Sequence, residues 1–173
     1  MSTSTSRFAA MAASTLLLLR HGIAEEPRPG LADGDRALTE RGRIRTRSVL
    51  DQLVALGLTA DRLLCSPLLR ARQTAEIAVA AGWAPELTLT AELAPGGVAL
   101  ARLPQWCEAC GGDSLALVGH EPDLSTLAAR LIGAPIGSLD LRKAGLMQLR
   151  LAGVPVAGQA VLVSLLRPGL LLA

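Results

Sequence analysis

Three short apolar runs, at residues 15–19, 63–65 and 114–118, each stop abruptly at polar residues, and the segments between them space their apolar residues as helices do. Runs of this length with no apolar/polar alternation read as strands buried on both faces, and helices between successive strands supply the crossovers of a largely parallel sheet. The pattern is that of an α/β domain, and 173 residues suit one such domain. Residues 15–173 are expected to form it, behind a tail at 1–14.

Residues 23–38 carry two prolines, two glycines and four acids and read as a loop. Thr39 is placed to cap a helix over 40–56 whose core face is Ile44, Leu50, Leu53 and Val54, and Gly57 ends it. Ser66 and Pro67 suit the cap and first turn of a second helix that stops near Ala81. A short strand is expected at 86–89, a helix within 96–108 interrupted or delayed by Pro104, and a helix at 123–131. Strands at 146–151 and 160–165 are expected to form a hairpin through 153–158.

Composition narrows the function classes. Half the residues are apolar, 18% are charged and the net charge is +2, so the chain lacks the dense basic surface that displaces counterions from nucleic acid. One Phe, two Trp and no Tyr leave no platform on which bases could stack. No apolar stretch reaches the ~20 residues of a membrane-spanning helix. Three cysteines, Cys65, Cys107 and Cys110, are an odd set in a chain too large to need staples, which points to a reducing compartment, and a cytoplasmic location is expected. Cys107-Glu108-Ala109-Cys110 has the spacing of half a zinc site, but no second ligand pair lies at a fitting distance, so no metal is expected. Residues 1–14 have the Ser/Thr and Arg content of a transit segment. Because the first strand follows at once, a disordered tail, or a start at Met11, is the expected reading.

The only two histidines, His21 and His120, each sit just past the carboxyl end of an expected strand. That end of an open α/β sheet is where ligands bind, because loop amides and helix N-termini converge there. A third strand ends at Cys65-Ser66-Pro67 and opens a helix carrying Arg70. Arg20, His21, Arg70 and His120 thus come from three strand ends, and their common ligand is a dianion such as a phosphoryl group, whose oxygens match guanidinium forks. One imidazole, unprotonated at one nitrogen and held through the other, can attack phosphorus in line. The second, cationic beside the phosphate, and the arginines can neutralise the equatorial oxygens. This chemistry requires no metal and no cofactor.

Leu19-Arg20-His21-Gly22, Leu38-Thr39-Glu40-Arg41-Gly42, Ser66-Pro67-Leu68-Leu69-Arg70-Ala71-Arg72-Gln73-Thr74-Ala75 and Val118-Gly119-His120-Glu121-Pro122, in this order and spacing, resemble the histidine phosphatase superfamily, also called phosphoglycerate-mutase-like. The likeness spans about residues 15–168. It implies a three-layer sandwich with a mostly parallel central sheet flanked by helices, His21 as the nucleophile that becomes phosphorylated, and Arg20, Arg70 and His120 as the rest of the phosphate pocket. Within the superfamily the chain is most similar to the SixA-type phosphohistidine phosphatases. The stretch 82–113 leaves little room for the insertion that mutases and phytases use as a lid. Ile23-Ala24-Glu25-Glu26 lacks the hydroxyl and amide with which mutases and sugar-phosphate phosphatases contact substrate. His120-Glu121-Pro122, Glu92-Leu93-Ala94-Pro95-Gly96-Gly97 and Leu166-Arg167-Pro168 resemble that subgroup's pattern. An open pocket would admit a phosphorylated side chain on a protein, for instance a histidine-transfer domain.

The resemblance implies two candidates for a general acid. Glu121 follows the second histidine, where the acid-phosphatase branch carries its donor, and Glu92 lies on the loop that supplies the donor in the mutase branch; Glu121 is the first choice. Arg72, two positions past Arg70, lies on another face of its helix and reads as solvated or structural. Arg41, Arg43, Arg45 and Arg47 spread charge round their helix and read as a solvated face, with a docking patch for an acidic phosphoprotein as the second reading. Asp33 and Asp35, with Arg36, either close over the site or pair with each other. The alternatives to a protein phosphohistidine phosphatase are a small-molecule phosphomonoesterase and a non-catalytic phosphate-binding module. A mutase is disfavoured, because without a lid water would reach its intermediate. No nucleic-acid or membrane partner is expected.

Overall fold

The computed structural model of the chain describes residues 13–173. One sheet contains β1 (Thr15–Arg20), β2 (Arg62–Cys65), β3 (Leu87–Leu89), β4 (Ser114–Gly119), β5 (Leu146–Arg150) and β6 (Val161–Leu166), in the spatial order β3-β2-β4-β1-β5-β6. The first four are parallel to one another, and β5 and β6 run antiparallel as the expected hairpin. Around the sheet lie α1 (Glu40–Ala55), α2 (Leu69–Ala80), α3 (Ala99–Glu108), α4 (Asp123–Ile132) and α5 (Pro168–Leu171). The architecture is the expected three-layer α/β sandwich.

The sequence of β1 shows why. Leu16 and Leu18 join one core with Leu103 of α3 and Leu124 and Leu127 of α4, whereas Leu17 and Leu19 join the other with Leu50 and Leu53 of α1 and Ala71 and Ala75 of α2. A strand apolar at every position has no face to turn to water, so it belongs in the middle of a sheet covered on both sides. Among the described residues, no helix is long and apolar enough to cross a membrane.

Several expectations shift. Ile44 is exposed, not in the core, and Val54 is only half buried; α1 turns Gly42, Thr46, Val49, Leu50 and Leu53 inward. Ile44 stands two residues from both Gly42 and Thr46, about 200° round the helix from each. The inward face begins with a small and a polar residue, which hydrophobic spacing alone passes over. Ser66 does not cap α2; the helix begins at Leu69, and the Ser66 hydroxyl turns toward His120. α3 continues through Pro104, held by the buried Leu103 and Cys107. α5 and the one-turn helices at Asp33–Asp35 and Ala91–Leu93 were not foreseen in the sequence. Of the tail expected at 1–14, residues 1–12 lie outside the described residues. Ala13 is fully buried and bonds the Cys107 carbonyl, and the Ser14 N–H donates to the Asp113 carbonyl at 2.9 Å, so packing already includes both.

Two glycines let the loop after β1 lie on α1. A Cβ at Gly42 would stand 2.0 Å from the Ile23 carbonyl oxygen, and one at Gly22 would stand 2.3 Å from Thr46 Oγ1. Thr39 completes the joint: its N–H donates to the Ile23 carbonyl at 3.0 Å and its hydroxyl oxygen accepts from the Gly42 N–H at 3.0 Å. Gly42→Ala is expected to lose about 2 kcal/mol, even though Ala is the better helix former by roughly 1 kcal/mol. Gly34→Ala, where a Cβ meets nothing within 4 Å, should stay within about 0.5 kcal/mol of the parent in the same urea titration.

Candidate active site

Strand register assembles the site. β1 and β4 pair Arg20 with Gly119, and β2 and β4 pair Cys65 with Val118. Parallel neighbours lie about 4.8 Å apart, so the residues that follow, His21, His120 and Ser66, emerge side by side. The His21 N–H donates to the Gly119 carbonyl at 3.1 Å, and the Ser66 N–H donates to the Val118 carbonyl at 3.0 Å. Both imidazoles are buried, with centroids 5.1 Å apart and planes inclined at 54°.

His21 Nδ1 lies 2.7 Å from the Gly22 carbonyl oxygen. A carbonyl only accepts, so Nδ1 carries the proton and Nε2 keeps its lone pair. The Arg70 Nε–H points at that lone pair from 3.3 Å. Burial, reinforced by the charges of His120, Arg70 and Arg20, holds the imidazole down to about 3 against the bond to Gly22. Two residues that the sequence reading did not single out brace this loop. The Thr74 hydroxyl accepts from the Gly22 N–H at 3.0 Å and donates to the Arg70 carbonyl at 2.8 Å, while Gln73 Oε1 accepts from the Leu38 N–H at 2.7 Å. Their signal was positional: three and four residues past Arg70, they lie on its side of the helix.

His120 Nε2 lies 2.8 Å from Ser66 Oγ, and its Nδ1 is buried with no partner among the described residues. Burial and the neighbouring Arg70 hold His120 down to about 4, opposed by Asp33. The cationic form expected beside a phosphate is therefore not the resting form at neutral pH; a dianion arriving at Nδ1 would favour it.

Arg70 is buried, and its fork is filled from within the chain. Nη1 donates to the Asp33 carbonyl at 2.6 Å and Nη2 donates to Asp33 Oδ2 at 2.9 Å. Hydrogen bonds from Arg36 and then Arg70 hold the Asp33 carboxyl below its ordinary value. Of the two readings of this loop, Asp33 takes part in both: it closes over the site and pairs with Arg36 at 2.7 Å. Arg20 Nη1 donates to the Leu141 carbonyl at 2.9 Å, and the Arg20 charge lowers both imidazoles. The structure thus brings Arg20, His21, Arg70 and His120 together.

Each of the two candidate acids is bonded to other groups. Glu121 Oε1 accepts from the Ser125 N–H at 3.0 Å, bracing the start of α4. Glu92 bonds the Thr90 hydroxyl and pairs with Arg102 at 3.0 Å, and these contacts, Thr90 foremost, lower its carboxyl, the opposite of what a proton donor needs. Glu92 does line an apolar groove of about 380 Å³, formed with Leu93, Leu100, Leu124 and Leu127, that opens onto His120. Among the described residues no three His, Cys, Asp or Glu side chains gather as a metal site. Cys107 and Cys110 are free and buried in the core, where burial pushes the Cys107 thiol up to about 12.

Residues 16–94 match the family model of the histidine phosphatase superfamily, branch 1. An uncharacterized protein of Picosynechococcus sp. is 45% identical over 139 residues, covering 78% of this chain and 84% of the relative. The structure of the protein histidine phosphatase SixA complexed with tungstate is similar in fold, with a TM-score of 0.77, 23% identity, and coverage of 91% of this chain and 99% of that one. The α-ribazole phosphatase from Shigella flexneri also shares the fold, at a TM-score of 0.66 and 21% identity over 89% of this chain and 96% of its own.

Two outcomes follow from the geometry. Unfolded histidine takes up a proton near 6.5, whereas folded His21 and His120 resist it down to about 3 and about 4. Their contribution to stability is therefore full above about 6.5 and is lost progressively as pH falls from there toward the folded values. From pH ~7.5 to ~5 the parent should lose about 2 kcal/mol more than His21→Gln in urea titrations. Separately, Asp33→Asn empties the Arg70 fork of its carboxylate, so inorganic phosphate should inhibit that variant at about fivefold lower concentration.

Proposed function

We propose that this chain, a member of the histidine phosphatase superfamily, hydrolyses phosphohistidine on a protein through a phosphorylated His21. The observation that carries this reading is the fixed tautomer of His21: the Gly22 carbonyl holds the proton on Nδ1, and Nε2 offers a lone pair beside a buried guanidinium and a second imidazole.

In the first step the Nε2 lone pair attacks phosphorus, and the bond from phosphorus to the substrate nitrogen breaks. That nitrogen keeps the electron pair, and a substrate ring protonated on its other nitrogen departs as neutral imidazole. Arg70 exchanges Asp33 for phosphoryl oxygens, while His120 and Arg20 add positive charge around the equatorial oxygens as the transition state forms. In the second step water attacks phosphorus, the bond to Nε2 breaks with its pair returning to the ring, and the oxygen and both hydrogens of water leave with the phosphate. A neutral leaving imidazole needs no strong acid, which agrees with Glu121 and Glu92 both being engaged elsewhere. Imidazole and guanidinium supply the positive charge, so the scheme uses no metal.

A second reading, hydrolysis of a small phosphate ester, draws on the apolar groove beside His120, which has room for an apolar leaving group. The α-ribazole phosphatase that shares this fold acts, by its name, on such a compound.

His21→Ala is expected to abolish turnover of an aryl phosphate and to remove the acid-quenched, radiolabelled phosphoenzyme. Arg70→Ala and His120→Ala should each lower turnover by about 10²–10³, the usual loss for one transition-state charge stabiliser. Undiminished turnover by His21→Ala would overturn the nucleophile. Faster hydrolysis of a phosphorylated histidine-transfer domain than of a panel of phosphate esters is the result expected of the protein substrate, and excess chelator should leave both rates unchanged.

A further inference from the structure

A cleft of about 560 Å³ lies beside the site on the side of α1 and α5, and five cations line it: Arg20, Arg45, Arg142, Lys143 and Arg167. They come from the end of β1, the middle of α1, the turn before β5 and the turn after β6. The whole chain carries a net charge of only +2 with 17 Lys and Arg, so gathering five of these around one cleft is a local feature and not the character of the surface. Among the described residues the only ion pair made by any of the five joins Arg142 to Asp140 at 3.0 Å, and both partners are more than half exposed. Glu121 is the other acid that acts on Arg20.

The cleft is tied to the reacting residues through the backbone. The Ala144 N–H donates to the carbonyls of both Arg20 and His21 at 3.1 Å, and the Arg20 N–H donates to the Gly145 carbonyl at 3.2 Å. Ala144 holds a left-handed φ of 58° to make these contacts, a conformation that side-chain-bearing residues seldom adopt. Arg142 and Lys143 are thereby held beside the strand end that carries the nucleophile.

We propose that this cleft is the docking site for an acidic segment of the phosphoprotein substrate, one whose Asp or Glu side chains flank the phosphorylated residue. The inference deepens the reading of the site as a protein phosphatase and rests on it. Charge complementarity selects the occupant. Forks converging on one enclosed phosphate would be buried as Arg70 is, whereas Arg142 and Arg167 are exposed and Arg45 and Lys143 half buried around the rim. Cations so spread suit several carboxylates on an extended segment, and such rim charges act mainly on encounter and partner choice. Of the arginine run at 41–47, only Arg45 lines this cleft.

The test uses the whole chain and the variant Arg45→Gln/Lys143→Gln/Arg167→Gln, which leaves Arg20 in place. The substrates are two chemically phosphorylated histidine peptides of equal length, one with Glu and one with Ser on both flanks, and p-nitrophenyl phosphate. For the parent, KM should be about tenfold lower on the Glu-flanked peptide, a preference that fades toward ~0.5 M salt. The variant should treat the two peptides alike and keep the parent's rate on p-nitrophenyl phosphate. Equal KM values in the parent, or a preference that survives in the variant, would overturn the docking site. A fluorescent, unphosphorylated Glu-rich peptide separates the two claims: binding lost in the variant, with no phosphohistidine turnover by the parent, upholds the cleft and overturns the substrate. Tight binding of inorganic tripolyphosphate with no difference between the peptides would assign the cleft to a small polyanion and overturn the acidic segment.

Discussion

The parallel pairing of β1 with β4 is the contact on which the rest depends. With Arg20 opposite Gly119, the chain leaves both strands at the same height, and two histidines 99 positions apart in sequence come within 5.1 Å. A register slip by one residue would turn every side chain of β1 to the other face, moving Leu16 and Leu18 into the layer built for Leu17 and Leu19. The two cores differ in what they accept: α2 offers Ala71, Ala75 and Ala78, while α4 offers Leu124, Leu127 and Leu131. Packing thus fixes the register, and the register fixes the site.

What forms there is electrostatically one-sided. A half-buried Arg20 stands by the buried Arg70 and two buried imidazoles, and the chain answers in two ways. It leaves both rings neutral, at about 3 and about 4, and it supplies an internal anion by laying Asp33 into the Arg70 fork. Asp33 is mostly exposed and already shared with Arg36, so its hold on Arg70 is loose by the standard of buried pairs. On the proposed function a phosphoryl dianion would compete with it, drawing also on His120, whose buried Nδ1 has no partner among the described residues.

Much of this was legible in the chain. Continuous apolar runs ending in polar residues marked β1, β2 and β4, and the two histidines marked the functional edge of the sheet. What escaped was carried by residues whose side chains bond instead of burying apolar surface. Gly42 and Thr46 form the inward start of α1 but look like its polar face, which is why Ile44 was misplaced. Ser66 has the chemistry of a helix cap, and nothing local says that a histidine 54 residues away takes its hydroxyl. Asp33 was visible as a loop acid, while its partner could be identified only once α2 was placed beside that loop. Tertiary hydrogen bonds leave no periodic trace, so sequence spacing located the strands and helices better than the bonds between them.

The site has two unlike approaches, and their difference bears on what it can hold. The groove toward α3 and α4 is apolar and opens on His120, whereas the cleft toward α1 and α5 is cationic and includes Arg20. These helix pairs lie on opposite faces of the sheet, so a ligand whose phosphoryl group sits between the imidazoles is flanked by apolar surface on one side and positive charge on the other. A small ester would fill one approach and leave Arg45, Arg142, Lys143 and Arg167 without a partner on the ligand. A protein surface can occupy both at once, with an apolar side chain in the groove and carboxylates across the cleft, and the phosphorylated residue between them. An extended partner would draw binding energy from both faces of the sheet, and this asymmetry is what favours the proposed protein substrate over a small ester.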